Sequence, residues 1–264
     1  MKRVIKRAVS FVLVFMTVFS VFTILPSEVF HTAYVKAAEM FSSETGASAQ
    51  ETYTTDDFTY TLIDEYSKVQ ILSYIGSDAD VVIPDRIDNK KVTSIADSAF
   101  REKSITSVVF GQYVESIGNY AFYSCQSLNK LDFSKSSVKT IGSYAFTVCK
   151  SLESIEFPDS LESIGYGAFS AYRGSYVASS LKSVKFGSGL KSIADYAFYE
   201  NRALNTVKFT GVALTSIGRE SFCNIAITEL DLSGTDTSID REAFYNCNSL
   251  ETVKLSGVKT IGQN

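Results

Sequence analysis

Ser116-Ile117-Gly118-Asn119-Tyr120-Ala121-Phe122 decides the reading of this chain, because six more heptads repeat it: SIADSAF, TIGSYAF, SIGYGAF, SIADYAF, SIGRESF and SIDREAF. Their terminal residues are Phe100, Phe122, Phe146, Phe169, Phe198, Phe222 and Phe244, spaced by 22, 24, 23, 29, 24 and 22 residues. A fixed period in the twenties is the signature of a solenoid. One unit cannot bury its apolar face alone, and stacked units bury it for one another.

A second pattern, apolar-x-x-apolar-x-apolar, runs between the heptads at residues 128–133, 152–157, 181–186, 204–209, 227–232 and 250–255. Its last three positions alternate inward, outward and inward, as in a strand with one buried face. Each repeat is therefore expected to add one strand to a parallel sheet, with the heptad as the return path. The small residue after the heptad's Ile (Gly118, Gly142, Gly165, Gly218, Ala96, Ala194) reads as room for a tight bend. The i,i+3 spacing of Phe146 and Cys149 predicts a short helical turn packed against the sheet.

The N-terminus is of another kind. Lys2, Arg3, Lys6 and Arg7 precede an uncharged, mostly apolar run from Ala8 to Leu25, and Val35-Lys36-Ala37 supplies a small-residue cleavage pattern. Residues 1–37 read as a secretory signal peptide, with an uncleaved membrane anchor as the alternative, since the run is at the lower limit of a spanning helix. Residues 38–56, rich in Ser, Thr and Glu, read as a flexible spacer. Residues 57–90, with the β-like runs 58–62, 69–71 and 81–83, read as a β-rich cap before repeats over 91–264. Thr260-Ile261-Gly262-Gln263-Asn264 begins an eighth heptad, and from this a truncated fragment is expected.

Composition narrows function. Without residues 1–37 the chain has 20 basic and 28 acidic residues, a formal charge of −8, and nucleic acid is an improbable partner. The single histidine, His31, leaves with the leader, so nucleophile activation by imidazole and histidine-ligated metal are excluded from the mature part. No cofactor is expected and the reading is not an enzyme. Membrane contact is confined to the leader during export.

The unit in Thr140-Ile141-Gly142-Ser143-Tyr144-Ala145-Phe146-Thr147-Val148-Cys149-Lys150-Ser151-Leu152 resembles the BspA-like leucine-rich repeats of bacterial surface proteins, over about residues 81–264. Asp80-Val81-Val82-Ile83-Pro84 is similar to the segment that usually precedes the first repeat in that family. Ser221 in place of Ala, Asp240 in place of Gly and an insertion in the fourth repeat depart from the pattern. The resemblance implies exported, surface-associated proteins engaged in adhesion. The expected fold class is an α/β repeat solenoid: a right-handed leucine-rich-repeat stack with a parallel sheet face, short helical turns on the return side and a small β-rich cap. The expected role is adhesin-like binding of a protein or glycan on a host or neighbouring cell by a secreted or cell-surface protein. A rigid spacer, or the targeting arm of a larger surface enzyme whose catalytic domain lies beyond residue 264, are the alternatives.

Candidate contact residues fall in two places. Between Phe169 and Leu181 the chain is longer than in other repeats, and Tyr172, Arg173 and Tyr176 in that insertion are residue types common at binding hot spots. The outward strand column reads Val109, Asp132, Glu156, Lys185, Lys208, Asp231 and Lys254, with Lys130 beside it. Ion pairs are expected at Glu156/Lys185, Lys208/Asp231 and Asp231/Lys254. Asp132, Glu156 and Glu153 form an acidic notch on an open sheet, where no pocket for catalysis is expected. Cys125 and Cys149 share one offset from their Phe, which suits two buried thiols or a disulfide. Tyr120, Tyr144 and Tyr196 share one heptad position and form an aromatic column, for packing or as a sugar platform.

Overall fold

The computed structural model describes residues 51–171, 178–209 and 211–263. At the N-terminal end lie β1 (Thr52–Thr54), β2 (Phe58–Ile63), β3 (Lys68–Tyr74), β4 (Asp80–Val82), β5 (Arg86–Ile87) and β6 (Lys90–Ile95). Two strands per repeat follow. They are β7 (Ser107–Val109), β8 (Ser116–Ile117), β9 (Lys130–Asp132), β10 (Thr140–Ile141), β11 (Ser154–Glu156), β12 (Ser163–Ile164) and β13 (Ser183–Phe186). The series continues with β14 (Ser192–Ile193), β15 (Thr206–Phe209), β16 (Ser216–Ile217), β17 (Glu229–Asp231), β18 (Ser238–Ile239), β19 (Thr252–Lys254) and β20 (Thr260–Ile261).

The continuous sheet is built by the heptads. Their Ser-Ile or Thr-Ile dipeptides pair in parallel and in register, in the order β6-β8-β10-β12-β14-β16-β18-β20. The strands expected to form one sheet instead make three short ones, β4-β7-β9, β11-β13-β15 and β17-β19. The heptad is thus the unbroken ladder rather than a return path. At the N-terminal end, β1, β2 and β3 are antiparallel, β3 joins β6 in parallel, and β5 pairs antiparallel with β6 across Asp88 and Asn89, both in the left-handed region at φ 47° and 60°. Two such residues make the turn type that suits a tight hairpin. Strand pairing begins at Thr52, inside the stretch expected to be spacer.

Among the described residues there is no helix, so the expected helical turn is absent and the α/β class is corrected to an all-β solenoid. The backbone after each ladder strand shows why. The amides of Tyr120, Phe122 and Ser124 donate across to the carbonyls of Ser143, Ala145 and Thr147 of the next repeat, at 2.9, 2.7 and 2.9 Å. The alternate amides, of Ala121, Tyr123 and Cys125, close turns onto Gly118, Tyr120 and Phe122 within the repeat. A helix would consume every N–H internally and leave none for the neighbouring rung. Alternation requires a left-handed residue at the fifth heptad position, and Ser98, Tyr120, Tyr144, Gly167, Tyr196, Glu220 and Glu242 all have φ between 50° and 61°. A second follows two residues after the Phe, at Glu102, Ser124, Val148, Glu200, Asn224 and Asn246. Each non-glycine in this region costs about 1 kcal/mol, so the cross-rung bonds and packing outweigh a recurrent local penalty.

The heptad glycine also has a different reason from the expected bend. A Cβ on Gly142 would lie 2.6 Å from the backbone carbon of Gly118, and one on Gly118 or Gly218 would lie 2.6 or 2.5 Å from the amide nitrogen of Asp97 or Asp195. It is the approach of successive rungs that excludes a side chain.

The core is two columns of phenylalanine. Heptad rings stack from Phe100 through Phe122, Phe146, Phe169, Phe198 and Phe222 to Phe244, with centroids 4.6–5.3 Å apart. Phe110, Phe133, Phe157, Phe186 and Phe209 form the second column. The columns meet edge to face, as at Phe157–Phe169, 5.5 Å and 72°, and Phe186–Phe198, 5.9 Å and 75°. Both geometries suit the ring quadrupole and contribute about 1 kcal/mol per pair beyond area burial. Tyr74 continues the first column by stacking on Phe100 at 5.4 Å.

Ser221 occupies the sixth heptad position, fully buried, and its hydroxyl has no hydrogen-bond partner. Ala fills the same position in the other repeats. Ser221→Ala is expected to raise stability by about 1 kcal/mol, read as a higher urea midpoint at unchanged slope. Gly142→Ala is expected to lower it by about 2 kcal/mol or more in the same titration, because backbone must move to admit the methyl group.

Candidate functional site

Two surfaces carry chemistry-bearing side chains. The first is the outward face of the short sheets. Asp132 is in register with Val109, Glu156 with Lys185, Lys185 with Lys208, and Asp231 with Lys254. The expected column is therefore present in three pieces, interrupted between β9 and β11 and between β15 and β17. Lys185 pairs with Glu156, and Lys254 pairs with both Glu229, 2.8 Å, and Asp231, 3.0 Å. The expected Lys208/Asp231 pair is not among the ion pairs of the described residues; the two stand on either side of a ladder break. Lys208 and Lys130 are exposed and make no ion pair among the described residues. Tyr172, Arg173 and Tyr176 lie outside the described residues.

Asp132 and Asp231 have a local task as well. Each accepts a hydrogen bond from the backbone N–H two residues on, Ser134 and Ser233, both at 3.0 Å, in the Asx turn that ends its strand. The Ser134 hydroxyl, then its amide, hold Asp132 below the ordinary carboxylate range, and the Ser233 amide and hydroxyl with Lys254 bring Asp231 down to about 2. Glu153 is tied to Lys182 at 3.0 Å and Glu156 to Lys185, so the acidic notch is neutralised by its neighbours. Exposed pairs of this kind contribute little to stability. Sequence reasoning missed a parallel column just before each ladder strand, with ion pairs Glu115–Lys139 at 3.0 Å and Glu162–Lys191 at 2.6 Å. Its signal was the alternation Glu115, Lys139, Glu162, Lys191 at one repeat position.

The second surface is a groove of about 620 Å³ along the heptad turns, lined by tyrosines with Thr147, Gly167, Ser170 and Glu220. The aromatic column includes Tyr166, which the sequence reading omitted because it sits one position earlier than its counterparts. Tyr120 stacks on Tyr144 at 5.0 Å and 16°, Tyr144 meets Tyr166 at 5.2 Å and 58°, and Tyr166 meets Tyr196 at 5.2 Å and 46°. Gly167 takes the place of the tyrosine there, and a Cβ on it would come within 2.9 Å of the Tyr144 ring. Tyr166 is 40% exposed and Tyr120 37%. At one end the Tyr196 hydroxyl donates to Glu220 at 2.9 Å, and Arg219 pairs with Glu220 at 2.7 Å. Burial, then this hydrogen bond, pushes the Tyr196 phenol up to about 12.

The cysteines are structural. All four are free. Three residues after the Phe, the thiols of Cys125, Cys149 and Cys247 donate to the carbonyls of Phe100, Phe122 and Phe222 of the preceding repeat, at 3.0, 3.2 and 3.3 Å. Asn201, at the same offset, donates its amide to Phe169 at 2.8 Å. Burial pushes the Cys125 and Cys223 thiols up to about 12 and Cys247 to about 11. Among the described residues no cluster of His, Cys, Asp and Glu is placed to hold a metal ion.

Stacked β-rungs with exposed charged and aromatic rows define the class: a repeat scaffold of the leucine-rich type, a fold used for binding. Residues 86–177 and 170–264 match the BspA type leucine rich repeat region in six copies, and the chain belongs to that family. In structure it is similar to a leucine-rich repeat protein of T. pallidum, with 24% identity, TM-score 0.62, and 80% of this chain and 86% of that one covered. It is also similar to a leucine rich cell surface protein of Faecalibacterium prausnitzii, with 27% identity and TM-score 0.65; 80% of this chain is covered and it spans 56% of that protein. No curated protein matches the chain.

Thiols with such raised pKa values present almost no thiolate at pH 8. The native protein is expected to leave its cysteines unmodified by a disulfide reagent at pH 8 for hours, and to yield all four within minutes in denaturant.

Proposed function

We propose that this chain is an exported, non-catalytic binding module that attaches a bacterial surface to a protein on a host or neighbouring cell. The observation that carries this reading is the outward face of the short sheets, where exposed Lys130 and Lys208 make no ion pair among the described residues while adjacent rungs are paired. Unpaired cations on a flat, rigid face steer an acidic partner and set its register at modest desolvation cost. Membership of a surface-protein repeat family, the cell-surface description of the F. prausnitzii relative and the signal-like residues 1–37 support export. Lys185, Lys254, Glu156, Asp132 and Asp231 shape the same face, and Tyr172, Arg173 and Tyr176 of the insertion are proposed as further contact residues.

A second reading, a stiff spacer, draws on the unbroken ladder and the stacked phenylalanine column. The two differ in one measurement. Purified chain is applied to immobilised extracellular-matrix proteins and to cultured epithelial cells, at physiological salt and at 1 M salt. Saturable, salt-sensitive binding that falls about tenfold in Lys208→Glu with Lys130→Glu is expected. No saturable binding to any surface leaves the spacer reading in its place.

A further inference from the structure

The strand face does not use the tyrosine groove on the heptad turns, and we propose that this groove binds a neutral, linear glycan. The inference is independent of the partner protein assigned to the strand face.

Three features identify the ligand class. The row of Tyr120, Tyr144, Tyr166 and Tyr196 takes one ring from each of four successive repeats, at centroid spacings of 5.0–5.2 Å. A regular row of rings suits a regular polymer of ring-shaped units, which a linear chain of pyranoses is. Tyr166 is tilted against both neighbours, so neither covers its face in parallel, and it is the most exposed ring of the row. Gly167 opens that place by carrying no side chain where other repeats have Tyr120, Tyr144 and Tyr196. A tyrosine offers an apolar ring and a polar tip, matching the C–H face and hydroxyls of a sugar.

The lining carboxylate and the balance of donors then favour a neutral glycan over the alternatives. Glu220 is the charged residue of the lining, and Arg219, which lies over the Tyr196 ring at 5.9 Å, pairs with it, while Arg101 lies over the Tyr123 ring at 5.1 Å. An anionic polysaccharide would meet a carboxylate with no lysine in the lining. A proline-rich peptide, the other ligand that favours aromatic grooves, has few N–H donors for a group that only accepts hydrogen bonds. Glycan hydroxyls donate and accept, so they can use the remaining lone pairs of Glu220 and the phenol oxygens alike.

The test is calorimetric titration of the purified chain with short linear oligosaccharides of glucose, mannose, xylose and N-acetylglucosamine, a proline-rich decapeptide and heparin. At least one neutral oligosaccharide is expected to bind. Tyr166→Ala is expected to weaken it about tenfold at unchanged melting temperature, because the ring is at the surface. Glu220→Gln, which keeps the shape, should weaken it severalfold, and Lys208→Glu on the strand face should leave it unaltered. Absence of binding by every neutral oligosaccharide, preference for the peptide or heparin, or affinity indifferent to Tyr166→Ala each overturns the proposal. If cell or matrix binding is lost in Lys208→Glu while oligosaccharide binding persists, the two sites fail or stand separately.

Discussion

Everything in this molecule is subordinate to the hydrogen-bonded distance between successive rungs, about 4.8 Å in a β-sheet. The Ser-Ile ladder fixes that distance along the whole stack, and the cross-rung amides of the heptad turns repeat it. Once the backbone is so spaced, the side chains have little choice. Phenylalanines one rung apart in the heptad column lie nearly parallel, as Phe122 and Phe146 do at 2°, and tilt to 34° at Phe133–Phe157, where the short-sheet ladder is interrupted. Where two backbones touch face to face a Cβ has no room, as at Gly142 over Gly118, although Ala96, Ala194 and Asp240 occupy the same heptad position in other repeats. Left-handed residues follow from the same constraint, since only by alternating handedness can a turn point every second N–H at its neighbour.

That hierarchy explains what was legible in the residues. The heptad and its period announced a stack, and the buried phenylalanines and Ile117, Ile141 and Ile164 are where the pattern put them. Which segment forms the unbroken ladder was hidden. A three-residue alternation such as Lys130-Leu131-Asp132 reads as strand, whereas Ser116-Ile117 is too short to show any period. The left-handed turns were hidden for another reason: Tyr, Glu and Ser in those places give no glycine signal, and at Val148 even a β-branched residue adopts φ 64°. Tertiary hydrogen bonding dictates that geometry, and local propensity does not record it.

Polar groups inside the stack follow one rule too. The carbonyls of Phe100 and Phe122 each accept a turn amide within the repeat, from Lys103 at 3.1 Å and Cys125 at 3.2 Å, and also a donor from the residue three positions beyond the next Phe. Asn201 and Cys247 donate in the same way to Phe169 and Phe222. A thiol is small, apolar and a weak donor, so it fills the volume and meets the carbonyl without the desolvation cost of a stronger polar group. The recurrence of Cys there matches a small buried volume beside a carbonyl that takes the thiol as a second donor. Ser221 is the contrary case, a hydroxyl in a slot shaped for Ala with no acceptor in reach.

The two functional surfaces inherit opposite properties from the same spacing. On the short sheets, strands break at β9/β11 and β15/β17, ion pairs form within the second and third pieces, and Lys208, at the edge of a break, makes none among the described residues. On the heptad turns the ladder never breaks, so an aromatic row can run over four rungs and interruption must come from sequence instead. Gly167 supplies it. By shifting the tyrosine back one position to Tyr166, this repeat turns one ring out of an otherwise self-stacked column. A column stacked throughout would cover its own ring faces and offer only edges to a ligand. The irregular fourth repeat thereby breaks the parallel stacking of the row and turns the face of Tyr166 away from its neighbours, while Tyr120, stacked on Tyr144, is exposed to a similar degree, 37% against 40%.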